Sequence, residues 1–255
     1  ISGTKQTGAT TEKFEHYCTA DANVCKIPGF TSNHKLRVDL DGTLHIEGDW
    51  PKNCSYDIST THECHVYSLV SRHHIKIKAA NIHNHGTIAG MQGVTLLATE
   101  YLHNNATDLK QPKPIIKTDG VLALEMRYIK SKQGILQGKT QLQIKADSLE
   151  VGHELQAKNL NIEVEHELHL KGVTAEQNMH LQFKGEQAYE YGKLTAGNDI
   201  TILQPNSALT LVDPITAVRK ISLESTKITN STSVASHTSD IEITTTSNDL
   251  YPVHN

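Results

Sequence analysis

Three carboxylates, Glu163, Glu165 and Glu242, are the side chains of this 255-residue sequence best placed for catalysis. Glycosidic cleavage needs two such groups on one face, one to protonate the leaving oxygen and one to act as base or nucleophile. The outward residues of the alternating runs that carry them are Gln143, Asn161, His180, Thr201, Ser222 and Glu242, so one position in six is a carboxylate. Glu163, Glu165 and Glu167 together read as a solvated face. A carbohydrate-active enzyme, a polysaccharide lyase or glycosidase, is therefore the second reading, and a chain without enzymatic activity the first. No Gly-rich phosphate loop and no Gly-x-Ser-x-Gly elbow occurs.

Sixteen histidines include the close pairs His73 with His74, His83 with His85, and His166 with His169, and stacking could bring His153, His169 and His180 together. None of these pairs carries Asp or Cys at ligand spacing, so exposed polar positions are expected, with no metal and no cofactor. His62, Cys64 and His65 come nearest to a zinc pattern, but the cysteine spacing is too loose for it. Cys18 with Cys25 and Cys54 with Cys64 instead suggest two local disulfide loops and an oxidising compartment.

The elements that must position these groups are set by a repeat. Leu142-Gln143-Ile144, Leu160-Asn161-Ile162, Met179-His180-Leu181, Ile200-Thr201-Ile202, Ile221-Ser222-Leu223 and Ile241-Glu242-Ile243 recur with steps of 18, 19, 21, 21 and 20 residues. Apolar and polar residues alternate within each unit, the period of a half-buried strand. A unit of about twenty residues cannot bury an apolar face by itself, whereas stacked units bury a continuous interior. The expectation is an all-β fold, a right-handed parallel β-helix of about twenty residues per coil. An antiparallel sandwich is disfavoured because the turns of this half contain neither Asn-Gly nor Asp-Gly. Asn159, Asn178 and Asn198 precede the central strand in three successive coils and are expected to stack as a ladder.

Composition agrees with a narrow interior: 37% of residues are hydrophobic but only 5% aromatic. A net charge of −4 with no basic block gives no reason to expect nucleic acid as a partner, and no apolar run approaches the length of a membrane helix. The chain starts at isoleucine, so a piece of a longer protein is expected.

Residues 1–73 are expected to form an irregular cap with the two disulfide loops. Leu36, Val38 and Leu40, then Asp41-Gly42, then Leu44 and Ile46 suggest a hairpin. The coils are expected over 74–250, with Ile77 to Leu96 a step of 19 but Leu96 to Leu124 a step of 28. The surplus falls in a polar, proline-bearing stretch, expected as a projecting loop at 103–120. Loops on a rigid scaffold carry recognition, and Trp and Tyr dominate binding hot spots. Trp50, Tyr56 and Tyr67, with Asn105, Asp108, Lys110 and Lys113 of the loop, are the expected contact residues.

The stretch Asn81-Ile82-His83-Asn84-His85-Gly86-Thr87-Ile88-Ala89-Gly90, followed by Val94-Thr95-Leu96-Leu97-Ala98, resembles the repeats of filamentous haemagglutinins, and so does Leu194-Thr195-Ala196-Gly197-Asn198-Asp199-Ile200-Thr201-Ile202. The likeness covers roughly 74–250. It implies an interior segment of a very long β-helical exoprotein, sent to the bacterial cell surface or beyond by two-partner secretion with an outer-membrane secretion partner. Departures from plain repeats imply a specialised region, such as the receptor-binding part of a CdiA-type effector of contact-dependent growth inhibition. On that reading the chain is a monomer whose partner is an outer-membrane protein or glycan on a target cell; a plain filament spacer is the remaining possibility. The family's amino-terminal secretion domain and a carboxy-terminal toxin are not recognisable, and the cysteine-bearing front is atypical of it.

Overall fold

The computed structural model describes residues 69–106, 112–186 and 191–245 with their side chains. For Thr4–Thr7, Thr10–Lys13, Val24–Cys25, His34–Val38, Leu44–Glu47, residues 63–68 and Tyr189–Glu190 it describes the backbone strand alone. All regular structure among the described residues is strand. The chain forms two compact units, Ile1–Thr140 and Gln141–Asn255.

In the second unit most coils are a long strand, bent where its partner pairing slips, followed by a short one; the coil that starts at Met179 is divided into Met179–Phe183, Tyr189–Glu190 and Lys193–Ala196. Gln141–Val151 and Leu155–Ala157 make one such coil, Asn159–Leu170 and Gly172–Ala175 the next. Every coil-to-coil pairing in this unit is parallel, and the repeat marker falls directly in register: Ile144 with Ile162, Ile162 with Leu181, Leu181 with Ile202, Ile202 with Leu223, Leu223 with Ile243. Parallel pairing fixes the reason for the alternation. With neighbouring strands about 4.8 Å apart, each inward residue sits on its counterpart one coil away, and the aliphatic column excludes water along its length. Ile162, Leu181 and Ile202 are fully buried.

The third side of the coil is narrower. Leu155, Val173, Leu194 and Ile215 form its wide column, and Ala157, Ala175, Ala196 and Ala217 form a second, all buried and in register. Alanine stands there because the chain turns immediately afterwards, leaving room for one methyl. Close approach also requires glycine at Gly192, where a Cβ would overlap the carbonyl oxygen of Lys171 on the preceding coil.

The first unit combines two pairing modes. Its front is antiparallel: Thr4–Thr7 pairs with Thr10–Lys13, and His34–Val38 with Leu44–Glu47, joining Leu36 to Ile46 as the expected hairpin requires. Parallel coils follow, with Ile77 on Leu96 on Leu124, Ile82 on Leu102 on Ile129, and Ile88 on Ile116 on Leu136. Parallel pairing also reaches back before residue 74, since Leu44 pairs with Ile75 and Cys64 with Ile82. The boundary expected at 73/74 thus falls inside the parallel stack, because Glu63–Ser71 is a strand that its weak alternation had concealed.

The 28-residue step is accommodated without disturbing the stack, because Leu124 still pairs with Leu96. The segment between strands runs from 104 to 114, shorter than the expected 103–120, because Ile115–Thr118 is the coil's third strand, with Ile116 and Thr118 pointing inward.

Truncating one rung of the column tests this account. Leu181→Ala is expected to lower stability by about 2–5 kcal/mol, and Thr201→Ala, on the outward side, by no more than about 0.5 kcal/mol. Urea denaturation of the two variants measures the difference.

Candidate functional site

The second side of the first unit's coils carries two outward columns. In register they read Asn81, Tyr101, Tyr128 and, two residues on, His83, His103, Lys130. Parallel strands hold these side chains at one spacing, and outward alternation turns them from the interior. His83 is the hub. Its Nε2 lies 3.1 Å from the Tyr101 hydroxyl, and its ring centroid is 6.0 Å from that of His103 and 6.1 Å from that of His85, the latter nearly coplanar in orientation at 3°. Tyr101 stands edge-on to His83 at 5.2 Å and to His103 at 6.3 Å. Partial burial, and then the positive charge of Lys130, push the His103 imidazole below its ordinary pKa. One rung on, Arg127 lies 5.3 Å over the Tyr128 ring and reaches Glu100 at 3.3 Å.

The 104–114 segment begins and ends beside this face, and its described base is locked from within. Asn84, Asn104 and Ser131 are buried at the corner of three successive coils. Asn84 Nδ2 donates to Asn104 Oδ1 at 2.9 Å, and Asn104 Nδ2 donates to Ser131 Oγ at 2.9 Å. The same two amides donate to the carbonyls of Ile115 and Ile135, and Gly86 N–H donates to Asn84 Oδ1. Asn105 continues the anchoring: it donates to the Lys130 carbonyl at 3.2 Å and accepts from Gln133 N–H at 3.0 Å. On the far side Ile135 N–H donates to the Pro114 carbonyl at 2.9 Å.

Of the expected contact residues, Lys113 is exposed, and Asn105 is half-buried as part of the loop's base. Asp108, Lys110, Trp50 and Tyr56 lie outside the described residues, and Tyr67 is described only as a strand position. The disulfide expectation also falls outside them, since Cys18 and Cys54 are not described and Cys25 and Cys64 are described as backbone alone. Tyr101, Tyr128, His83 and His103 were not among the expected contacts. Their spacing from the repeat marker could have revealed them: His83 and Lys130 lie six residues after Ile77 and Leu124, and His103 seven after Leu96. The extra residue at the Leu96 rung hid the column.

The carboxylate candidates lie in the second unit, where the outward row reads Gln143, Asn161, His180, Thr201, Ser222, Glu242 in register, as expected. Glu163 and Glu242 are four rungs apart, about 19 Å along the stack at one strand spacing per rung, well beyond the roughly 5–9.5 Å of a glycosidase pair. Glu165 is two residues from Glu163 but ion-paired with Lys184 Nζ at 2.6 Å, and Glu242 is paired with Lys220 at 2.5 Å. The histidines do not gather: His180 is in register with Asn161 and Thr201, and His169 with Glu150 on another side. Among the described residues no three His, Cys, Asp or Glu side chains are placed to hold a metal ion.

The expected asparagine ladder holds for one step and then changes residue. Asn178 Nδ2 donates to Asn159 Oδ1 at 3.2 Å. The next rung is Asp199 and not Asn198, because Met179 pairs with Ile200, and this coil is two residues longer than the one from Leu160 to Met179. Asn198 instead joins coils through its backbone, donating to the Gln177 carbonyl and accepting from Arg219 N–H. Asp199 holds Arg219 through Nε at 3.1 Å and Nη2 at 2.7 Å, and accepts from Lys220 N–H. The Arg219 guanidinium keeps the Asp199 carboxyl below its ordinary value, and Lys220 does the same for Glu242.

Compared with known proteins, the chain matches no family model, no curated sequence and no solved structure. Its class rests on its own geometry: the described coils are those of a parallel β-solenoid with about twenty residues per turn.

Two outcomes follow from the anchoring and the charge pairs. Asn104→Ala removes two hydrogen bonds to the following coil, at Ser131 and Ile135, and the acceptor of Asn84 on the preceding one, so a loss of about 1–3 kcal/mol is expected, with faster amide hydrogen exchange at Gln133 and Ile135. For the ion pairs the carboxyl pKa values are depressed on folding. Their contribution is complete above the ordinary values of 3.8 for Asp199 and 4.5 for Glu242, and is lost as pH falls through the lower folded values. Thermal midpoints followed downward from neutrality should therefore fall in that acid window, and less steeply in an Arg219→Gln, Lys220→Gln double variant.

Proposed function

We propose that this chain is a receptor-binding segment of a secreted bacterial exoprotein of the filamentous-haemagglutinin kind, acting in adhesion or in contact-dependent growth inhibition. Its partner on this reading is a protein or glycan at the surface of a target cell, and its route to the cell surface is two-partner secretion. One observation carries the reading: extra chain is inserted between two strands of a stack that keeps its register, and its described ends, residues 104–106 and 112–114, sit beside an outward aromatic and histidine face. A spacer gains nothing from a segment whose base is anchored by three buried polar side chains. A recognition element does, because anchoring reduces the entropy lost when a partner is bound. Tyr101 and Tyr128 supply ring surface at low conformational cost, and Lys113 and Lys130 supply charge at its border.

The test is retention of the purified chain on intact Gram-negative cells. Retention is expected on at least one cell type, and a Tyr101→Ser, Tyr128→Ser double variant should weaken it by about thirtyfold or more, the effect of losing one hot spot. Absence of retention across a broad panel of cells would sink the proposal and leave a spacer.

A further inference from the structure

The charges of this chain are segregated in a way its net value of −4 conceals. Residues 69–140 hold ten Lys and Arg against four Asp and Glu, whereas residues 141–245 hold eight against fourteen. The basic coils also carry the outward column of His83, His103 and Lys130, one residue per rung at about 4.8 Å. We infer that this column is a binding track for a linear anionic polysaccharide, engaged more strongly as the medium becomes mildly acidic. The inference rests on reading this face as the binding surface and names the class of ligand it takes.

A flat track one residue wide, with a basic group on each rung, complements a polymer with an acidic group on each of many successive sugars. Imidazole suits the task because it gains its charge between neutrality and about pH 5. The neighbouring column adds the hydroxyls of Tyr101 and Tyr128 and the amide of Asn81, groups that pair with sugar hydroxyls. Nucleic acid fits less well. The rings of His83, Tyr101 and His103 stand edge to face, at 75–87° to one another, and rungs one strand spacing apart leave no slot for a base.

Among the described residues, charged and titratable groups reach the track from three directions. From its own side come His85 next to His83 and Lys130 beyond His103. At the corner Glu100 is paired with Arg127, which lies over Tyr128. The outward positions of the first side add Lys76, Lys78 and Glu125. Among these described groups the balance is positive before any histidine is protonated and rises as they charge. Linkage fixes the sign: a bound polyanion raises the imidazole pKa values, so affinity is greatest below the free values and lost as pH rises through the bound ones. A rise of about half a unit at each of two imidazoles makes binding about tenfold tighter at the acid end.

Titration calorimetry at about pH 5.5 and pH 7.5 tests this with polygalacturonate, dextran sulfate, neutral dextran and duplex DNA. Polygalacturonate or dextran sulfate should bind about tenfold more tightly at the lower pH, whichever binds telling carboxylate from sulfate, and neutral dextran should not bind. His83→Gln with His103→Gln should abolish the pH dependence, and Lys130→Gln should weaken binding at both values, with far-ultraviolet circular dichroism unchanged. The inference is overturned if neither acidic polymer binds, if affinity is the same at both pH values, if the histidine variant behaves as the parent, or if DNA binds as tightly. Retention on cells without binding to either polymer would defeat this inference alone. Binding to a polymer without retention on any cell would defeat the receptor reading alone.

Discussion

Registered stacking of one coil on the next is the constraint from which the rest of the structure follows. A parallel ladder gives each residue a fixed partner one coil away, so identity of side-chain type along a column is enforced by contact and not by local propensity. In the second unit the column through Ile144, Ile162, Leu181, Ile202 and Leu223 shows what this demands: each residue must fill the same cross-section as its neighbours above and below. Insertions are tolerated only where they leave the register intact, at corners and between strands. The long segment after His103 satisfies that condition.

Corners pose a different problem, because the chain turns there and its amides point into the interior. A buried polar group is tolerable only when its hydrogen bonds are complete. The first unit meets this with Asn84, Asn104 and Ser131. The second unit uses Tyr191, Gln204, Ser207 and Ser225: the Tyr191 hydroxyl donates to Gln204 Oε1, Gln204 Nε2 to Ser207 Oγ and the Ala208 carbonyl, and Ser225 Oγ to the Ser207 carbonyl. Burial drives the Tyr191 phenol far above its ordinary pKa, so it remains a neutral donor. These internal networks hold bends in which the strand pairing slips, and in the first unit the same device fixes the surface segment proposed for recognition.

How far the sequence could be read depended on whether spacing or contact set the feature. The repeat marker and the outward row from Gln143 to Glu242 were legible because a strand alternates with period two, and counting from one inward residue finds the next. The asparagine ladder was legible as far as Asn178, after which a coil two residues longer than the one before put Asp199 in the expected place of Asn198. His83 and His103 escaped notice for the same reason, since the two coils differ by one residue at the bend. Asn104 was unreadable: as an Asn beside another Asn in a polar stretch it looks like loop, and only coordinates place it in the interior with no exposed surface. The strand Glu63–Ser71 was hidden because its buried residues include Ser71, which composition alone does not mark as core.

The alanine seam of the second unit limits how this protein can diversify. A larger side chain at Ala175 or Ala196 would have to be matched by its neighbours on both adjacent turns, so bore is inherited collectively while each outward position varies alone. Evolution can therefore rewrite the exterior one rung at a time, as text is changed on a page whose margins stay put.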